Sequence, residues 1–449
     1  MTIPNSVTTI GGSAFYGCSG LTSVTIGNSV TTIGDFAFYG CSGLETFTIA
    51  DGSSELNWNY SVFYDCPLKN VYLGININYI NSHINYESPF KETRLTNLII
   101  GDSVTTIDRG TFYCCSNLTD VTIGNSVTTI DRGAFERCSS LTSVTIPDSV
   151  TTIGDYAFDG CSSLETLTIA DGPNELNLGH GYSSNDNMDK GLFYDCPLKN
   201  VYLGRNLTYN TTYEYGYSPF YKTKELTNLI IGNSVTTIGD NAFCNCSGLT
   251  NLIIPNSVTK IGGYAFSGCS SLENLTISDG SSELAVNGYN ALFAGCPLRS
   301  VYLGRNINYN NNNVSPFNGS VQLTNLIIGD NVTAIGEKAF FDCSALENII
   351  SLAITAPIAY ENTFSETTYS NATLYIHTGS LPSYKLATCW RNFLMEEVYN
   401  ITKVEGVGTG NNPVEIARYS LNGKKLFSPE KGINIIKMSD GTTRKVIVR

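Results

Sequence analysis

Phe15 and Phe38 stand 23 residues apart, each inside the stretch AFYGCSGL. The same step joins Phe112, Phe135 and Phe158, then Phe243 to Phe266 and Phe317 to Phe340. Steps of 22 to 35 residues link the remaining anchors: Phe63, Phe90, Phe193, Phe220, Phe293 and Phe364. A unit such as SVTTIGDYAFDGCSSLETLTI, from Ser149 to Ile169, has too few apolar residues to close a core of its own. Stacking on the next copy is what makes one.

Within the unit the strand is the easiest piece to place. L-x-x-V-x-I recurs as LTSVTI at Leu21, LETFTI at Leu44, LKNVYL at Leu68 and LTNLII at Leu95, and so on to Leu346. Its last two apolar positions alternate with a polar one and β-branched residues dominate, the signature of a half-buried strand. SVTTIG alternates likewise and reads as a second short strand on another side of the coil. AFxxC fits a single tight helical turn.

A longer pattern overlays the unit. After two or three plain coils comes a variant, FYDCPLKNVYLG at Phe63 and Phe193 or FAGCPLRSVYLG at Phe293, and then a coil marked SPF at Phe90, Phe220 and Phe317. Turn-rich segments beginning ADGSSEL, ADGPNEL and SDGSSEL precede each variant, the longest insertion running from Asn177 to Gly191. Insertions that recur in register are a natural place to look for binding.

These residues resemble the BspA-like subfamily of bacterial leucine-rich repeats, SVTTIGxxAFxxCSxLTxVTI, over about residues 3–370. The resemblance implies a right-handed leucine-rich-repeat solenoid of short strands, turns and short helical turns, with about fourteen coils of about 23 residues. On this reading residues 1–370 are the repeats. Residues 371–400 form a closing coil, with Tyr384, Trp390 and Phe393 as its apolar plugs. Residues 401–449 form a small all-β domain. That tail carries nine basic and four acidic residues, net +5, and its YSLNGKK, KGINIIK and RKVIVR segments resemble the C-terminal β-domains of secreted Bacteroidetes proteins, sorting tails included. The family resemblance further implies an exported, surface-associated protein that is not an enzyme. Because Met1 is followed at once by mid-repeat text, the reading expects a leader ahead of it.

Composition narrows the function. A net charge of −13 argues against nucleic acid or an anionic membrane surface as the main partner. No apolar run approaches the ~18 residues of a spanning helix. At 42% hydrophobic and 14% charged residues, the chain is not disordered in composition.

Candidate chemistry is thin. Of fourteen Cys, eleven fall three residues after an anchor Phe, and Thr93, Thr223, Ser320 or Thr367 takes that place elsewhere. A column of small buried side chains explains this better than a disulfide framework. Cys244-Asn-Cys246 lacks the other ligands of a zinc site, and NDNMDKG from Asn185 lacks the turn Gly and closing Glu of a calcium loop. His83, His180 and His377 sit in unrelated settings, and Glu45, Glu165 and Glu273 lie in separate blocks rather than as a hydrolytic pair. Neither cofactor nor metal is expected.

The outward strand positions are more informative. Most are Thr, Ser, Asn or Glu. Three coils substitute a cation and an aromatic: Lys69 with Tyr72, Lys199 with Tyr202, and Arg299 with Tyr302. Ile99, Ile230 and Ile327 occupy the Tyr position one coil on, and Tyr209, Tyr213 and Tyr215 follow in a polar tract. Tyr offers a large amphipathic contact area at low entropy cost. The expectation is an adhesin-like protein of the cell surface that binds an extracellular protein or glycan through these residues. The alternative is a structural spacer.

Overall fold

The computed structural model describes all residues except 59–60, 80–87, 92, 184–187, 194, 211–217, 287–291, 310–314, 399–414, 421–424, 427–431, 439–442 and 449. It divides into two compact units, residues 1–249 with 264–270, and residues 250–263 with 271–449. Each is a parallel β-solenoid, and the turns number about 16, against the fourteen or so expected.

In the first unit, L-x-x-V-x-I forms a six-stranded parallel sheet from Thr2–Ile3 to Asp120–Thr122 and a four-stranded one from Ser143–Ile146 to Asn228–Ile231. In the second, Asn251–Ile254 opens a seven-stranded sheet that ends at Leu394–Val398. Pairing is in register, Thr25 opposite Thr48 and Ile26 opposite Ile49. Every apolar strand position therefore falls beneath its counterpart in the next coil. The strand Ser23–Ile26 alternates exposed and buried as its sequence demands. SVTTIG supplies the second row, Thr9–Ile10 pairing with Thr32–Ile33 and Thr129–Ile130 with Thr152–Ile153.

The anchor Phe side chains make a continuous stack within each unit. Phe135, Phe158 and Phe193 follow one another at 5.6 Å, and Phe317 lies 5.1 Å from Phe340. The AFxxC stretch around them is not the helical turn expected. Amides of Ala14, Tyr16 and Cys18 close turns onto residues three back, while those of Ser13, Phe15 and Gly17 donate to carbonyls of Asp35, Ala37 and Tyr39 one coil on. A helical turn would keep every amide inside its own coil and leave the stack unbonded. Left-handed residues on either side of the Phe make the alternation possible: Phe36 (φ 57°) and Gly40 (φ 69°), or Tyr156 (φ 61°) and Gly160 (φ 70°). Gly at the second position avoids the Cβ strain of that conformation.

The Cys column follows from the same geometry. Cys138 and Cys161 Sγ donate to the carbonyls of Phe112 and Phe135 at 3.3 Å, and Cys343 to that of Phe317 at 3.2 Å. A small thiol thus fills the space and hydrogen-bonds the coil behind. Where Thr replaces it, Thr93 and Thr223 donate to their own coil's Phe90 and Phe220 carbonyls. All fourteen thiols are free, most of the column being buried and Cys18 exposed. Burial pushes Cys66, Cys161 and Cys343 up to about 12. Thiolate is then scarce at neutral pH, and thiolate is the reactive form. Native protein is expected to lose Cys18 quickly to a thiol reagent and the buried column only on unfolding. All fourteen should titrate in denaturant without reductant; a deficit there would mean paired sulfurs.

At the C-terminal end of the repeats, short helices Glu366–Asn371 and Leu381–Leu386 flank the strand Thr373–His377. Tyr384 and Trp390 are fully buried and Phe393 nearly so. Trp390 lies 5.7 Å from the last anchor, Phe364, and donates from Nε1 to the Pro357 carbonyl; the Tyr384 hydroxyl donates to Ser351 Oγ. The strands Glu415–Ser420, Lys425–Leu426, Gly432–Met438 and Thr443–Val448 form an antiparallel sheet.

Candidate functional site: the outward strand face and its latches

The variant coils are bound to the coil before them by side chains that the repeat does not otherwise use. Lys69 pairs with Glu45 at 2.7 Å, Lys199 with Glu165 at 2.6 Å, and Arg299 with Glu273 at 3.3 Å. These pairs are about half exposed, so each contributes little to stability. The Tyr72 hydroxyl donates to Asp51 Oδ1 at 2.7 Å, Tyr202 to Asp171 Oδ2 at 2.6 Å, and Tyr302 to Asp279 Oδ1 at 2.7 Å. Each Asp is that of the ADG or SDG turn. The hydrogen bond pushes Tyr72 and Tyr202 up to about 12; burial pushes Tyr302 up further.

Tyr72 and Tyr202 are half-buried, whereas Tyr302 is buried at 8% exposure rather than open on the face. Tyr209 is likewise turned inward: its hydroxyl donates to the Asp240 carbonyl, and a Cβ at Gly239 would sit 2.5 Å from that hydroxyl oxygen. Tyr309 repeats the arrangement over Gly336. Tyr213 and Tyr215 lie outside the described residues, as do residues 185–187 of the Asn185 loop.

Asn76, Asn206 and Asn306 add a third latch. Asn76 Oδ1 accepts from the Thr105 amide at 2.8 Å, Asn206 from Thr236 at 2.8 Å, and Asn306 from Thr333 at 2.9 Å. A fourth latch is a buried arginine. Arg205 and Arg305 are fully buried beneath the turn-rich segments. Arg205 reaches back two coils to the carbonyls of Asp148 (2.7 Å) and Pro147 (2.6 Å), and Arg305 to those of Asn256 (3.0 Å) and Pro255 (2.9 Å). In the first block Ile75, also buried, occupies that position.

Among the polar residues open on the face stand exposed isoleucines. Tyr72 pairs across the sheet with Ile99 and Tyr202 with Ile230. In the second unit the outward column runs Ile253, Thr276, Tyr302, Ile327 and Ile350. Ile253, Ile99 and Ile230 are 42%, 38% and 37% exposed, amid Thr and Asn. Among the described residues there is no group of three or more potential metal ligands, and no helix is long and apolar enough to cross a membrane.

Stacked parallel strands, an anchor-Phe ladder and a 23-residue period together define a leucine-rich-repeat solenoid. The chain belongs to the family described as the BspA type leucine rich repeat region, which matches residues 1–89, 86–215, 186–314, 213–346 and 311–405. Among solved structures it is similar to a leucine-rich repeat protein from Bacteroides ovatus at 25% identity, covering 87% of this chain and 88% of that one, with a TM-score of 0.38. It is also similar to a leucine rich cell surface protein from Faecalibacterium prausnitzii (24% identity, 81% and 85% covered, TM-score 0.25). A pneumococcal vaccine antigen follows at 17% identity, 84% and 80% covered and a TM-score of 0.28. No curated protein matches the chain.

Proposed function

We propose that this chain is a non-enzymatic recognition protein of the cell surface or its surroundings, holding an extracellular protein or glycan against its outward strand face. Membership of a family of bacterial surface repeats suggests an interaction role of this kind. The observation that carries the finer reading is the exposure of Ile99 and Ile230 on the strand face of the first unit, and of Ile253 on that of the second, amid Thr, Ser and Asn. Isolated surface isoleucines need no explanation, but isoleucines repeated at one register position beside Tyr72 and Tyr202 make contact sites. Lys69, Lys199 and Arg299, already paired with glutamates, stand three residues before Tyr72, Tyr202 and Tyr302.

The same latches favour the second reading, a spacer, because they tie up hydroxyls and cations that a ligand would otherwise use. The test is an array of extracellular-matrix proteins and glycans probed with the native chain and with the triple variant Ile99→Asp, Ile230→Asp and Ile253→Asp. These side chains point outward, so melting should be little changed. Binding to the partner found should fall at least tenfold. Unchanged binding moves the site off this face, and no partner at all leaves the spacer.

A further inference from the structure

The repeat changes at two successive coils where the stacking gives no reason for it. After the short strand, plain coils carry Gly34-Asp35, Gly154-Asp155 or Gly239-Asp240; those at Thr106–Ile107 and Thr129–Ile130 carry Asp108-Arg109 and Asp131-Arg132 instead. The second of these pairs faces a cleft of about 540 Å3, completed by Asp155, Asn177, His180 and Asn210 at the foot of the hairpin His180–Ser183/Met188–Gly191. That volume lies within the range of small-molecule sites, roughly 300–1,000 Å3.

The walls are held rigidly. His180 Nδ1 donates to Asp155 Oδ1 at 2.9 Å, and the same oxygen accepts the His180 amide at 3.1 Å. The Tyr156 hydroxyl meets His180 Nε2 at 3.1 Å, and the Tyr156 amide donates to the His180 carbonyl at 2.6 Å. Gly179 permits this approach, since a Cβ there would lie 2.6 Å from Asp155 Oδ1. Arg132 lies across the Tyr156 ring, its guanidinium carbon 4.7 Å from the centroid, and its Nε is buried without a hydrogen-bond partner. Asp131 Oδ1 accepts the Arg132 amide at 2.6 Å. Oδ2 of Asp131 and of Asp155 takes no part in these contacts.

We propose that this cleft binds one or two units of a neutral sugar. Two carboxylates against one guanidinium leave only a small net charge, with both signs present in the wall. An anion would face Asp131 and Asp155, and a cation would face Arg132. A polyol satisfies both sets: vicinal hydroxyls donate to the carboxylate oxygens, while Arg132, Asn177 and Asn210 donate to ring and hydroxyl oxygens. The pre-formed wall lowers the ordering penalty of such a ligand. This site is distinct from the strand face and does not depend on it.

The test uses the full chain with neutral oligosaccharides of glucose, galactose, mannose and N-acetylglucosamine, read by saturation-transfer NMR and titration calorimetry. Sulfate and calcium serve as charged probes. At least one saccharide should saturate a single site. Arg132→Ala and Asp131→Asn should each weaken it tenfold or more, and the Ile99/Ile230/Ile253 variant should leave it unchanged. Should Asp131→Asn lower the melting temperature, Asn177→Ala, on an exposed strand position, takes its place. The proposal is overturned if no saccharide binds, if binding ignores the cleft variants, or if those variants instead abolish binding of sulfate or calcium.

Discussion

Phe158→Ala is expected to destabilise the first unit by about 3–5 kcal/mol, as truncation of a fully buried aromatic does. Phe158 is wholly buried between Phe135 and Phe193, so its removal opens a void that faces two coils at once. Phe15 provides the internal comparison. It stacks on Phe38 at 5.1 Å and is only half-buried, so Phe15→Ala should have a clearly smaller effect. The difference expresses nearest-neighbour stability in a stacked array, where each layer is held by the layers on either side. Denaturant unfolding followed by circular dichroism measures both. Equal losses at the two positions would contradict that picture and imply a single cooperative core.

The sequence made the repeats legible because stacking repeats one environment along the chain. Each Phe, Cys and Leu column has one job and one spacing, so period alone located the strands and the thiols, whereas the plugs Tyr384, Trp390 and Phe393 follow from the family resemblance. The helical turn was misread for a local reason. Left-handed positions two residues before and after the Phe are filled by Tyr156, Phe36 or Lys222 as well as Gly, and only the recurrence of Gly17, Gly40, Gly160 and Gly268 hinted at them. The latches escaped because they are pairings between coils, 21 to 58 residues apart in sequence, and no local pattern links the two partners. Tyr72 read as a strand surface residue, Asp51 as turn chemistry. His180 was passed over similarly: no motif surrounds it, and its partners Asp155 and Tyr156 come from the preceding coil.

One latch did leave a trace in the sequence, and it yields the second large effect. Arg205 and Arg305 each reach a coil in which Pro follows the strand, Pro147-Asp148 and Pro255-Asn256; the first block has Gly27-Asn28 at the corresponding place in the sequence and Ile75 in place of the Arg. The two solutions differ in who holds the turn-rich segment. In the first block Asn28 Nδ2 donates to the Asp51 carbonyl at 2.7 Å, and an apolar side chain fills the space. In the second a guanidinium fills it and donates to both carbonyls below, with burial lowering its proton affinity. Arg205→Ala should therefore destabilise the first unit by about 3–5 kcal/mol, by removing two hydrogen bonds from a charged donor and opening a cavity, the Pro147 carbonyl keeping only the Val150 amide. Arg205→Ile should be milder, because it keeps the volume and removes a buried charge. Arg205→Ile combined with Pro147→Gly and Asp148→Asn rebuilds the first block's solution. The amide introduced by Asp148→Asn is then placed to donate to the Asp171 carbonyl, and the combination should recover at least half the loss. Denaturant midpoints of the four proteins decide it. A harmless Arg205→Ala would show that the guanidinium only occupies space, and a triple variant no better than Arg205→Ala would show that the two blocks are not interchangeable.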